Sequence, residues 1–182
     1  MPSYLSERLG LFIDGPNFHA AVKSLHWEVD YSLLQRHFAK QGRLLRASYY
    51  TAMRETQDFN SLKPLTDFLA YNGYTVVSKP VKEMINHATG AVKLKGNMDV
   101  EIAVDMLKLA RHLDHLILFS GDGDFRALVE ELQTQGKRVS VVATLKADPN
   151  ITADDLRRQC DNFIELDGLR EFIEREPPSR HT

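Results

Sequence analysis

His115-Leu-Ile-Leu-Phe-Ser120-Gly-Asp122-Gly-Asp124 runs from a short apolar stretch into a turn loaded with glycine and aspartate. An apolar run stopped by turn residues marks a buried strand reaching its carboxyl end. Leu9-Gly-Leu-Phe-Ile13, stopped by Asp14-Gly-Pro-Asn17, repeats the pattern near the start of the chain. Further strand-like runs fall at residues 43–51, 74–78 and 138–143, with a weaker one at 162–166. Helical periodicity lies between them at 31–40, 58–71, 99–113 and 124–135, each about the length of a crossover helix. This alternation predicts right-handed βαβ units, hence an α/β fold: a mostly parallel sheet covered by helices on both faces.

Residues 79–96 interrupt the alternation with Pro80, Asn86, Thr89 and Gly90, and read as an inserted loop or hairpin. The 182 residues fit one domain, expected over residues 1–173, and the charged, proline-containing segment 174–182 reads as a flexible tail. Cys160 is the only cysteine, so no intrachain disulfide forms and a reducing, cytoplasmic setting is expected. The first apolar stretch is too short for a signal peptide or membrane span, so no membrane association is expected. A net charge of −2 provides no broad basic field, so any nucleic-acid contact has to be local.

In open parallel sheets, ligands bind beyond the carboxyl ends of strands, where the strand order reverses. Asp14 closes the first strand, and Asp122 and Asp124 follow the 115–120 strand, so neighbouring strands would bring them together. On a helical wheel of about 100° per residue, Val100, Ala103, Val104, Met106, Leu107, Ala110 and Leu113 form an apolar arc with Asp99 at its centre. Glu101, Asp105, Lys108, Arg111 and His112 form the polar face. A carboxylate on a buried face is costly unless it is paired, hydrogen-bonded or metal-bound. Gathered Asp residues repel one another unless a cation sits among them, and oxygen-only ligands suit Mg2+ or Mn2+. Such an ion supports phosphodiester hydrolysis. There is no zinc-type His and Cys spacing, Walker loop or dinucleotide glycine fingerprint.

Three motifs carry a resemblance: Phe12-Ile-Asp14-Gly-Pro-Asn17, Lys95-Gly-Asn-Met-Asp99-Val-Glu-Ile-Ala-Val-Asp105, and Leu118-Phe-Ser120-Gly-Asp122-Gly-Asp124-Phe125. In this order, and followed by Gln135-Gly-Lys137 and Val139-Ser-Val-Val142, they resemble the NYN branch of the PIN-like nucleases, especially its LabA-like bacterial members. The resemblance implies a three-layer α/β/α domain with sheet order 3-2-1-4-5 and a metal-dependent endoribonuclease. Asp14, Asp99, Asp122 and Asp124 would be both metal ligands and catalytic residues, with Asn17, Lys95 and Ser120 toward the substrate. The expected partner is single-stranded or structured RNA, with DNA as an alternative substrate; a silent RNA-binding or regulatory module on the same fold is the competing function. Wider PIN nucleases take a Glu from an earlier helix. Glu55 and Glu83 match no such motif.

Plainer roles exist for most of these residues. Asp14 before Gly and Pro is ordinary turn chemistry, Asn17 and Asp124 suit helix caps, and Ser120 suits a strand end. Asp105 falls on the polar face, where pairing with Lys108 or Arg111 is normal. Lys79, Lys82, Lys93 and Lys95 flank the insertion and form either a phosphate-binding arm or scattered solvated cations. His87 reads as a surface residue. Tyr49, Tyr50, Phe59 and Tyr71 read mostly as core rather than base-stacking aromatics.

Overall fold

Period-2 alternation decides which side of the sheet each strand residue serves. In β1 (Arg8–Asp14), Leu11 and Ile13 enter one core and Phe12 the other; in β6 (His115–Phe119), Ile117 and Phe119 join the first and Leu116 and Leu118 the second. Both faces are therefore buried, and both strands read as continuous apolar runs rather than alternating ones. The computed structural model describes residues 6–53 and 61–177. The other main strands are β2 (Arg43–Met53), β3 (Thr75–Pro80), β7 (Arg138–Ala143) and β8 (Asn162–Glu165). Together these six form one parallel sheet of order β3-β2-β1-β6-β7-β8. Counting sheet strands alone, this is the expected 3-2-1-4-5 order with a sixth strand added at the far edge.

The segment expected as a loop or hairpin is an antiparallel pair, β4 (Lys82–Ile85) and β5 (Val92–Lys95), standing outside the main sheet. Helices α1 (Gly15–Ser24), α2 (Tyr31–Ala39), α3 (Lys63–Tyr71) and α7 (Arg170–Ile173) supply one core. Helices α4 (Asp99–Ala110), α5 (Arg126–Thr134) and α6 (Asp154–Gln159) supply the other. Among the described residues no helix is long and apolar enough to cross a membrane.

Several local expectations need correction. Residues 14–17 are not merely a turn. Asp14 is the N-cap of α1 and Pro16 sits in its first turn, where the missing proline N–H would have no helical partner anyway. Asn17 therefore lies inside the helix rather than capping it. Helix α4 ends at Ala110, and the expected helix 58–71 is described from Lys63. The apolar arc expected on α4 is only partly covered. Met98, Ile102, Met106, Ala110 and Leu113 are buried, while Val100, Val104 and Leu107 stay at least 40% exposed. Asp105 is not paired with Lys108 or Arg111; its carboxylate accepts from the buried Tyr50 hydroxyl at 3.0 Å. Tyr49 and Tyr50 are core, but Tyr71 is 90% exposed. Glu55 and Phe59 lie outside the described residues. The start of the expected tail is held: Glu174 bridges Val29, and the Arg175 N–H donates to the Glu28 carbonyl at 2.8 Å. Residues 178–182 lie outside the described residues.

Candidate metal centre

The strand order reverses between β1 and β6, and their carboxyl ends open the crevice that such a reversal creates. Register pairs Ile13 with Phe119, which sets Asp14 level with Ser120. The Ser120 hydroxyl donates to Asp14 Oδ2 at 2.9 Å and accepts the Asp122 N–H at 3.2 Å. One buried side chain thus ties the end of β1 to the loop after β6. Asn17 makes a second tie, its Oδ1 accepting the Gly121 N–H at 3.0 Å across the same crevice. Ser120 is 1% exposed, and its hydroxyl is engaged by Asp14 and the Asp122 N–H.

The loop itself depends on its glycines. A Cβ on Gly121 would stand 2.8 Å from Thr152 Oγ1 and 2.9 Å from the Ile151 carbonyl, and one on Gly123 would meet the Ala153 Cβ at 2.9 Å. The Gly121 carbonyl accepts the Ala153 N–H at 2.9 Å, so residues 151–153 back the loop. This close approach is the reason for glycine on either side of Asp122. Asp122, not Asp124, is the local cap. Its Oδ1 accepts the Asp124 N–H at 2.9 Å and opens a short 3-10 turn, Gly123–Phe125, that leads into α5. Asp124 within that turn stays exposed.

Asp99 comes from the other side as the first residue of α4, anchored by its buried neighbours Met98 and Ile102. Asp99, Asp122 and Asp124 each offer a carboxylate oxygen, and these atoms all lie within 4.8 Å of one another. Asp14 stands behind them at 6% exposure. Burial raises its pKa to about 6; the Ser120 hydrogen bond opposes the shift, and the charges of Asp99 and Asp122 add to it. Asp99 is also pushed up, first by burial and then by repulsion from Asp122 and Asp124. Its Oδ2 accepts from the neutral Asn97 amide at 2.9 Å. Lys79 eases the Asp99 charge from a distance, but its ammonium is held by both Glu101 oxygens at 3.0 Å. An oxygen-only cluster of like charges fits a hard divalent cation.

The lysines expected as a phosphate arm divide. Lys79 is engaged by Glu101, and Lys82 is exposed on β4 beside the exposed Glu83. The side chains of Lys93 and Lys95 lie outside the described residues, although their backbone forms β5. His87 is exposed at the hairpin turn. The Asn17 clamp was half legible, since Asn after Asp-Gly-Pro signals either a cap or a positioning role. Nothing in the sequence announced the Ser120 bridge.

The NYN domain model matches residues 8–167. Over 176 residues, covering 95% of this chain and 91% of the relative, the sequence is 33% identical to "Low amplitude and bright protein LabA" of Synechococcus elongatus. The fold is similar to the crystal structure of VPA0982 from Vibrio parahaemolyticus, a protein of unknown function. The TM-score is 0.75 at 26% identity, with 95% of this chain and 99% of that one covered.

Proposed function

The chain belongs to the NYN domain family, within the PIN-like nucleases, and on that premise we propose that it is a divalent-metal-dependent ribonuclease of the cytoplasm. The observation that carries the reading is the convergence of Asp99, Asp122 and Asp124 within 4.8 Å, with the buried Asp14 behind them. These carboxylates would hold Mg2+ or Mn2+. When bound, such an ion supplies charge neutralisation at a phosphodiester and activation of water.

The chain's own residues do the placing. Asp122 is held by the Ser120 hydroxyl on its N–H and by the glycine-dependent loop, so its carboxylate faces Asp99 without a flexible search. Asp124, exposed beside it, is the member best placed to meet solvent and substrate. Asp14 gives up its proton as pH rises through about 6 and is then the most buried negative group of the set. Asn17 fixes α1 against the loop, so it is a positioning residue here rather than a substrate contact. RNA is favoured over DNA through membership of the family.

The test is cleavage of end-labelled RNA and DNA of matched sequence in Mn2+, Mg2+ or EDTA. Metal-dependent internal cuts in RNA, absent with EDTA, support the reading. RNA that is bound but left intact in every metal would replace it with a silent RNA-binding module.

A further inference from the structure

A second feature lies along helices α1, α2 and α3. A cleft of about 1060 Å³ is lined by His19, Lys23 and His26 along α1, by Arg36 on α2, and by Leu65 and Phe68 on α3, among others. It is larger than most small-molecule pockets, which run to roughly 1,000 Å³. Helix α1 links it to the metal centre, since Asp14 caps the start of that helix and Lys23, near its end, lines the cleft. At 1.5 Å per residue, Lys23 stands about 13 Å along that helix from Asp14. His26, at φ +60°, holds a left-handed backbone between its own exposed side chain and the buried Trp27, which turns the chain along the cleft.

The lining carries both signs, with Lys23, Arg36 and Arg175 against Glu28 and Asp30. Lys23 and Arg36 are exposed, and among the described residues neither has an acidic partner. Of the acids in the same lining, Asp30 accepts the Leu33 N–H as the cap of α2, and Glu28 faces Arg175, another lining residue, at 3.6 Å, which leaves Lys23 and Arg36 as the cations without an acidic partner there. Phe68 is 45% exposed, and Tyr71 lies one helical turn further along α3 at 90%. Free cations beside exposed rings are the chemistry that holds a single nucleic-acid strand, by phosphate neutralisation and base stacking.

Resting on the reading above, we propose that this cleft carries the single-stranded flank of an RNA whose cut phosphate lies over the acidic cluster. Lys23 and Arg36 neutralise its phosphates, and Phe68 stacks a base. The probe is a fluorescent single-stranded RNA 12-mer, with binding followed by anisotropy in EDTA at several salt concentrations. Lys23→Gln with Arg36→Gln weakens binding about tenfold and lowers the salt slope by about 1.4, twice the 0.7 expected per single-strand contact. Phe68→Ala weakens binding severalfold at unchanged slope. Lys108→Gln with Arg111→Gln, on the opposite face, changes neither. Hydrolysis of bis(p-nitrophenyl) phosphate in Mn2+, a diester too small to reach the cleft, stays at the wild-type rate in all variants. These side chains are exposed, and thermal melts check that each variant folds; Lys23→Gln alone, at about half the slope change, serves if the double variant does not.

Unaltered affinity and slope overturn the cleft, as does a wild type that binds no RNA, or polyglutamate competing as well as RNA. Diester hydrolysis with cleft-independent RNA binding sinks the cleft alone. Cleft-dependent RNA binding without any hydrolysis sinks the ribonuclease reading and leaves the cleft standing.

Discussion

The two ends of the same strands treat charge in opposite ways. At the amino edge, Arg8 clamps Asp114 through Nε at 2.9 Å and Nη2 at 2.8 Å, and this holds the Asp114 carboxyl at about 2. Arg138 bridges Glu7 and His115, donating to His115 Nδ1 at 2.7 Å. Because a guanidinium only donates, Nδ1 carries no proton; Nε2 does, and it donates to Ser140 Oγ at 2.7 Å. His115 is therefore neutral, its pKa lowered to about 4 by burial and by Arg138, and its 3.8 Å approach to Glu7 is not an ion pair. At the carboxyl edge, four aspartates converge and two of them are pushed toward protonation. A chain that pairs its charges so fully at one edge leaves them in mutual repulsion at the other. Such unrelieved strain marks a site built for chemistry rather than for stability.

The largest expected effect separates the edges by activity. Asp122→Asn keeps the shape of the loop but removes an anionic ligand, and lowers RNA cleavage by a hundredfold or more, on the order of losing one key electrostatic group. Arg138→Met leaves turnover per folded molecule unchanged. Equal losses in both variants, measured as initial rates on labelled RNA, would erase the distinction.

Stability against pH sharpens it. In metal-free protein, Asp14 titrates near 6 rather than 3.8, so the folded state holds its proton more tightly. Its contribution is present at low pH and is lost as pH rises through about 6. His115 titrates near 4 rather than 6.5, so its contribution is present above 6.5 and is lost as pH falls toward 4. Each shift corresponds to about 3 kcal/mol at 1.36 kcal/mol per unit, and the two oppose each other over the same window. Wild-type stability is then nearly flat from pH 6.5 to 4 in EDTA. Asp14→Asn is more stable at neutral pH and falls steadily with acid. Parallel urea-denaturation profiles for the two proteins would show that Asp14 is not strained.

The smaller effect belongs to the paired edge. Arg138→Met leaves Glu7 and the His115 ring nitrogen without their donor and costs about 2 kcal/mol, less than a fully buried pair because the guanidinium is partly exposed. Chemical denaturation at pH 7 reads this directly. A loss under about 0.5 kcal/mol would mean that the network contributes little.

The contrast between the edges was half visible in the sequence. Every main strand was legible as an apolar run, and β1 and β6 lead directly into turns rich in Asp and Gly, where the acidic residues sit. Helix α1 was hidden because Asp14-Gly-Pro-Asn17 is turn chemistry and helix-start chemistry alike. The wheel for α4 counted Val100, Val104 and Leu107 as buried because periodicity shows an apolar stripe but not how much of it a neighbour covers. Asp105 escaped because its partner Tyr50 is 55 residues away. The amino-edge network was invisible for the same reason, since Glu7 and Arg138 are separated by 131 residues and meet only through strand register.

The most direct measurement is thermal melting of wild type and Asp99→Asn, each in EDTA and in excess Mn2+. The pKa of half-buried Asp99 is raised first by burial and then by the charges of Asp122 and Asp124, so asparagine relieves both while nearly preserving shape. Asp99→Asn is expected to melt at or above wild type in EDTA, and Mn2+ to raise the wild-type Tm but barely move the variant, as ligand linkage requires. A variant that melts markedly lower in EDTA yet keeps the full Mn2+ shift would make Asp99 a structural residue and contradict the metal centre.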